Sequence, residues 1–235
     1  MKVESHANIA LIKYWGQSDF DKVLPLNKSI SFNLSELKTT TTFEESDSDQ
    51  YCFEGDVNKA LDHISRVRDF MKSKNFNLPF LKVGSYNNFY TSAGLASSAS
   101  AFSALTFGLF EYAKLLGFDY QIHELVELTR LSGSASACRS LFSGLTVLNE
   151  NGECDSFESD LELLDIVCLL DEVPKSLSSS EGHKLAESSV FIRERIDGAN
   201  NRCASVLELI ETNDYISLFK VIEEECISFL INQMT

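Results

Sequence analysis

The sequence predicts an α/β fold, and three stretches of the 235-residue chain predict it. Leu26, Ile30, Phe32 and Leu34 fall on even positions with Asn27, Ser29, Ser31 and Asn33 between them, the period of two of a half-buried strand. Val57, Ala60, Leu61, Ile64, Val67 and Met71 recur at helical spacing, which puts an amphipathic helix over a sheet. Thr91-Ser92-Ala93-Gly94-Leu95-Ala96-Ser97-Ser98-Ala99 is a loop of small residues running into a helix that is apolar on nearly every side and closes near Gly117, a residue suited to a helix end.

The other elements follow in chain order. Val3 to Leu11 reads as a strand feeding Lys13-Tyr14-Trp15-Gly16, Thr39 to Phe43 as a β-rich run, and Phe80 to Asn88 as extended. A shorter helix from Ile122 to Leu131 precedes a second stretch of small residues, Ser134 to Ser140. Gly144 to Leu148 and Leu163 to Leu170 read as strands separated by an acidic turn region from Asn149 to Asp160. A domain boundary is placed in that region, dividing the chain into 1–160 and 161–235. A Ser-rich loop, SLSSSEGH, then leads to two helices, Ala186 to Ile210 and Tyr215 to Ile231.

Composition excludes several classes. Hydrophobic residues make up 44% and charged residues 23%, with 3 Pro and 11 Gly, a globular and not a disordered balance. The net charge of −15 repels polyphosphate, so nucleic acid and anionic membrane are not expected as general partners. A local cationic pocket for a small phosphorylated ligand remains compatible with it. The 6 Cys show no C-x-x-C spacing and no leader-like stretch precedes them, so reduced thiols and a cytoplasmic location are expected. The apolar runs fall short of the ~18–20 residues of a membrane helix.

Four places carry chemistry. At the loop before Ser97 and Ser98, Gly94 permits close backbone approach, and the free amides of the following helix face one point, an arrangement suited to a phosphate chain. The Ser hydroxyls there suit phosphate oxygens or Mg2+, with Mg2+ placed near Ser98; no side-chain metal motif is present. Arg139 lies among the hydroxyls of Ser134, Ser136 and Ser140, a guanidinium able to take carboxylate or phosphate in bidentate fashion. Lys13, Tyr14 and Trp15 form a cation-plus-aromatic cluster suited to a pocket wall, and Ser178 to Ser180 form a further hydroxyl cluster. Plainer readings stay open beside these: a helix cap, a surface ion pair, aromatic core fillers and a Ser turn. The four His residues show no metal-ligand spacing, and neither a G-x-x-x-x-G-K-[ST] nor a G-x-S-x-G segment occurs.

HANIALIKYWGQ, LPLNKSISFNLSELKTTTT, NNFYTSAGLASSAS and SASACRSLFSG occur in that order, and together they closely resemble the diphosphomevalonate decarboxylase family of the GHMP small-molecule kinase superfamily. The resemblance implies a two-domain GHMP-kinase-like fold, with an N-terminal part like ribosomal protein S5 domain 2 and an incomplete ferredoxin-like C-terminal part. It implies an ATP-dependent enzyme that phosphorylates the 3-hydroxyl of mevalonate 5-diphosphate and then releases phosphate and CO2 to give isopentenyl diphosphate. On this resemblance Gly94, Leu95, Ala96, Ser97 and Ser98 hold the phosphates of ATP, whose cofactor is Mg2+. Ser134, Ser136 and Arg139 bind substrate, Lys13 and Tyr14 lie near its reacting end with Trp15 and Gln17 beside them, and Ser179 contacts its diphosphate. Lys13 and Arg139 are the catalytic candidates.

The sequence also departs from the family. Gln17 stands where Lys is usual, Tyr90 where Pro is usual, and Ala135 where Gly separates the two serines. The family's Phe-Asp-Ala-Gly-Pro-Asn segment, whose Asp sits beside the 3-hydroxyl, does not occur in these 235 residues, so slow or absent turnover is expected of them. Two alternatives therefore stand: a mevalonate-5-phosphate decarboxylase or mevalonate 3-kinase-like enzyme, and a catalytically silent nucleotide-binding protein. The expected partner is a phosphorylated mevalonate, with a homodimer left open.

Overall fold

The computed structural model describes residues 1–53, 56–90, 97–167 and 179–235. Its strands are β1 (Lys2–Ile12), β2 (Gln17–Asp19), β3 (Leu24–Pro25), β4 (Ser29–Glu45), β5 (Gln50–Phe53), β6 (Leu81–Asn87), β7 (Leu145–Leu148) and β8 (Cys154–Phe157). Its helices are α1 (Val57–Ser73), α2 (Ser97–Leu115), α3 (Ile122–Arg130), α4 (Ser136–Arg139), α5 (Ser179–Leu185), α6 (Ile192–Glu211) and α7 (Tyr215–Met234), with a 3-10 turn at Ala186–Ser188. The chain divides into two compact units that interleave in sequence, Met1–Asn8 with Leu34–Leu141 and Ile9–Asn33 with Phe142–Thr235.

In the first unit the Thr39–Glu45 half of β4 pairs antiparallel with β6, and β6 pairs in parallel with β5. The threonine run is buried because its hydroxyls are paired: Thr39 with Ser100 at 2.7 Å and Thr41 with Ser85 at 2.9 Å. Phe43, Leu81 and Val83 meet Ile64, Val67 and Met71 of α1 and Leu105, Leu109 and Phe110 of α2 in one core. Helix α1 starts where the Asp56 side chain accepts from the Lys59 amide, and its apolar stripe is the one read from the sequence. Helix α2 buries residues round most of its circumference, and Gly117 beyond it has φ +94°, as its place at the helix end requires.

In the second unit Ser29–Phe32 of β4 pairs with β7, β7 pairs with β8, and β2 with β3 forms a separate small hairpin. The expected half-buried alternation is corrected here: Ser29 and Ser31 are as buried as Ile30, because Ser29 Oγ donates to the Ile12 carbonyl and Ser31 Oγ meets Thr146 Oγ1. The acidic turn region is instead a β-hairpin. Asn149 and Glu153 close its turn through a backbone hydrogen bond, Gly152 takes φ +86°, and β8 returns along β7. The strand expected at Leu163 to Leu170 is absent from its described part, where Leu164 and Ile166 are exposed; Cys168 and the rest lie outside the described residues. The single helix expected from Ala186 to Ile210 is broken at Ser189, which is extended (φ −68°, ψ 131°), so the long helix begins at Ile192. The end of the expected Ser-rich loop is helical, as α5. Leu11, Ile12, Ile30, Leu145, Val206 and Leu218 are among the residues of this unit's core.

Cys52, Cys138, Cys203 and Cys226 are free thiols, and burial pushes Cys138 and Cys203 up to about 12, which makes them poor nucleophiles. No described helix is long and apolar enough to cross a membrane.

Candidate functional site

In the second unit, the segment after β1 turns through Lys13-Tyr14-Trp15-Gly16, and its backbone is held from three directions. The Lys13 amide donates to Glu225 Oε1 at 3.0 Å, the Trp15 amide to Asn27 Oδ1 at 3.1 Å, and the Gly16 amide to His183 Nδ1 at 3.1 Å. Arg195 Nη2 donates to the Lys13 carbonyl at 2.5 Å. Arg195 is 1% exposed and Glu225 3%; they are paired in bidentate fashion, and Arg202 Nε adds a 2.9 Å bond to the same carboxylate. Charges so deeply buried persist only when paired and hydrogen-bonded. The Lys13 side chain is exposed and its ammonium lies 4.4 Å from the centroid of the Phe229 ring. Tyr14, Trp15 and Gln17 are buried, Gln17 in β2 opposite Pro25.

Helix α5 lies close against this turn. The His183 ring stacks on Tyr14 with centroids 4.8 Å apart and planes 4° apart, and Trp15 meets the same ring at 4.8 Å. Gly182 allows the approach: a Cβ there would fall 2.6 Å from Trp15 Cη2. Ser179 is the first residue of α5; of its side chain nothing is described.

In the first unit, Ser134 and Ser136 have hydroxyls 2.6 Å apart, and Ser136 opens the single turn of α4. Ala135, Ala137 and Cys138 are fully buried, so these small residues pack where larger ones have no room. Asn8 Nδ2 donates to the Ser136 carbonyl at 3.2 Å and to Ser140 Oγ at 2.7 Å, fixing the turn from β1. Arg139 ends α4 and is 4% exposed, so it is not a surface ion pair. Arg130 is 7% exposed, and its Nε and Nη1 have no hydrogen-bond partner among the described residues. Both guanidinium groups lie close enough to Cys138 to oppose the effect of burial on its thiol.

At the start of α2, Ser97 is half-buried and Ser98 exposed. Gly94, Leu95 and Ala96, with Ser178, lie outside the described residues. Among the described residues no group of three or more His, Cys, Asp and Glu side chains is arranged to hold a metal. Asn8, Asn27, His183, Arg195 and Glu225 were not singled out from the sequence as parts of a site.

The mixed sheet with helices packed on it and the structural neighbours below define a protein of GHMP-kinase-like fold. A mevalonate pyrophosphate decarboxylase from Streptococcus pyogenes superposes with TM-score 0.82 at 26% identity, covering 97% of this chain and 73% of that one. A structure described as MDDEF in complex with MVAPP, AMPPCP and magnesium superposes with TM-score 0.78 at 29% identity, covering 97% of this chain and 72% of that one. The chain belongs to the diphosphomevalonate decarboxylase-like N-terminal domain family, whose model matches residues 5–159. A diphosphomevalonate decarboxylase of Saccharomyces cerevisiae is 34% identical over 224 residues, 83% of this chain, and this chain spans little more than half, 56%, of that relative's length.

Proposed function

We propose that this protein is an ATP-dependent carboxy-lyase that converts mevalonate 5-diphosphate to isopentenyl diphosphate. The observation that carries the reading is Arg139, a guanidinium buried to 4% exposure at the end of a turn of small residues, with the Ser134 and Ser136 hydroxyls paired beside it, inside the span of the family match. A buried fork of this kind suits a carboxylate or a phosphate, and the carboxylate is the group taken here. In this reading Ser134, Ser136 and Arg139 bind substrate, and Arg139 orients the carboxylate that leaves as CO2. In the second unit, Lys13, exposed on a fixed backbone, and Tyr14, Trp15, Gln17 and Ser179 are the substrate-binding candidates.

ATP is held at the start of α2 by Gly94, Leu95, Ala96, Ser97 and Ser98. The N-terminus of a 19-residue helix, with Ser98 exposed in its first turn, fits a phosphate chain with its Mg2+. A bound Mg2+ would neutralise charge on the transferred phosphoryl group. A functional division at residue 160 accords with a family match ending at 159, whereas the compact units follow spatial contacts. The N-terminal part is read as S5-domain-2-like and the remainder as ferredoxin-like, in a protein of the cytoplasm.

One other reading has an observation behind it: Gln17, neutral where the family carries Lys, favours a substrate with one phosphate fewer. The test is to incubate the purified chain with ATP, Mg2+ and either mevalonate 5-phosphate or mevalonate 5-diphosphate, following ADP, phosphate and CO2. Release of all three with the diphosphate supports the decarboxylase. ADP without CO2 points to a 3-kinase, preference for the monophosphate to the alternative substrate, and nucleotide binding without any product to the silent protein.

A further inference from the structure

We propose that His183 is a positioning residue: it sets α5 against the Lys13–Gly16 turn, and so fixes the substrate side of the site. The inference rests on the functional reading above. The turn passes Gly16 with φ +81°, where a Cβ would fall 2.4 Å from Leu26 Cδ1 and 3.3 Å from the Ala186 Cβ, so only glycine fits and its amide is enclosed. An enclosed amide needs an acceptor, and His183 Nδ1 is that acceptor. With Nδ1 accepting, the proton of the neutral ring lies on Nε2.

Three side chains hold the amides of this turn, and they come from different places. Asn27 lies just before β4 and Glu225 on α7, whereas His183 lies on α5, the helix opening with Ser179. His183 therefore ties the segment carrying Ser179 to the segment carrying Lys13 and Tyr14. Its ring does so twice over, through the Gly16 amide at one edge and through the Tyr14 ring on its face. Gly182 next to it removes the Cβ that would hold α5 away from Trp15. A histidine that merely filled core space would not need its acceptor nitrogen aimed at a glycine amide.

Three variants separate the two contacts. His183→Asn keeps an acceptor near the Nδ1 position and loses the ring, His183→Phe keeps the ring and loses the acceptor, and His183→Ala loses both. For each, hydrogen exchange of the Gly16 amide is followed by NMR, and affinities for mevalonate 5-diphosphate and for ATP are measured by calorimetry, beside the thermal midpoint. His183→Phe is expected to speed Gly16 exchange and to weaken mevalonate 5-diphosphate binding about tenfold while ATP affinity stays as in the parent protein. His183→Asn is expected to restore Gly16 protection and most of that affinity, a rescue that midpoints alone would not track. Parent-like affinity for mevalonate 5-diphosphate in both His183→Phe and His183→Ala would overturn the positioning role. Equal loss for both ligands in proportion to the fall in midpoint would overturn it as well. A parent protein that binds neither ligand would instead bring down the functional reading, while Gly16 exchange still reports the His183 contact.

Discussion

Lys13 is an exposed residue whose peptide is fixed by Glu225 and Arg195. The Arg195–Glu225 pair lies almost wholly out of water, so its members depend on each other. Glu225→Gln leaves Arg195 and Arg202 facing a neutral amide and is expected to destabilise the fold by on the order of 3–5 kcal/mol, read as a lower urea midpoint at unchanged slope. A change within about 0.5 kcal/mol would mean that the pair does not hold the turn. At Arg139 the issue is shape and not charge. Arg139→Lys keeps the cation but loses the planar fork, so mevalonate 5-diphosphate affinity is expected to fall about tenfold or more with ATP affinity unchanged, by calorimetry. Equal affinities would remove Arg139 from the carboxylate. Residues such as Lys13 to Gly16 and Ser134 to Arg139 were legible in the sequence because each set is contiguous and made of chemistry-bearing types. Glu225 and His183 were not, since they reach Lys13 and Gly16 across 212 and 167 positions and only the folded chain brings them together.

Helix α2 meets the strand beneath it through a missing side chain. A Cβ at Gly108 would fall 2.1 Å from Phe43 Cε2, and Phe43 is fully buried in β4, so neither partner has room to give. Gly108→Ala is expected to cost about 1–3 kcal/mol by chemical denaturation, despite alanine's better helix propensity. Adding Phe43→Leu should recover part of that loss, because the smaller side chain makes space. Strict additivity of the two changes would show that the contact is not the cause. Helices α1 and α2 were legible from their apolar residues, a stripe along α1 and most of the circumference of α2, with Gly117 marking the end of α2. The region from Asn149 to Leu170 was not. Polarity concealed β8, which is stabilised by pairing with β7 despite its acidic neighbours, whereas the apolar Leu163, Leu164 and Ile166 suggested a strand that the described residues up to Val167 do not form, Leu164 and Ile166 being exposed. Pairing is a property of two segments, and one segment's pattern does not contain it.

Across the whole molecule, acid acts on groups whose folded and unfolded states hold protons differently, and His63 in the first unit's core is the clearest of them. Burial, with the nearby Arg66 charge, lowers its pKa to about 3 from an ordinary 6.5. Thr106 Oγ1 gives its proton to the Phe102 carbonyl at 2.7 Å, so it accepts from His63 Nε2, and Nδ1 is left with no partner among the described residues. A second proton would thus arrive where no acceptor waits. Between pH 6.5 and 3 the unfolded chain takes up that proton and the folded chain does not, so the stabilisation is fully present above 6.5 and is lost as pH falls. The loss approaches a few kcal/mol in order of magnitude. Glu4, exposed and held down to about 2 by Lys2 and Lys38, acts in the same direction but only below its ordinary value of 4.5. The interval from 6.5 to 4.5 therefore separates His63 from Glu4. His63→Phe keeps a ring edge-on to Phe102, as the imidazole is now, and leaves the Thr106 proton on its carbonyl. In urea denaturation series over that interval, the parent protein is expected to lose stability more steeply with falling pH than His63→Phe. Identical slopes would mean that His63 takes up its proton in the folded state as readily as in the unfolded one.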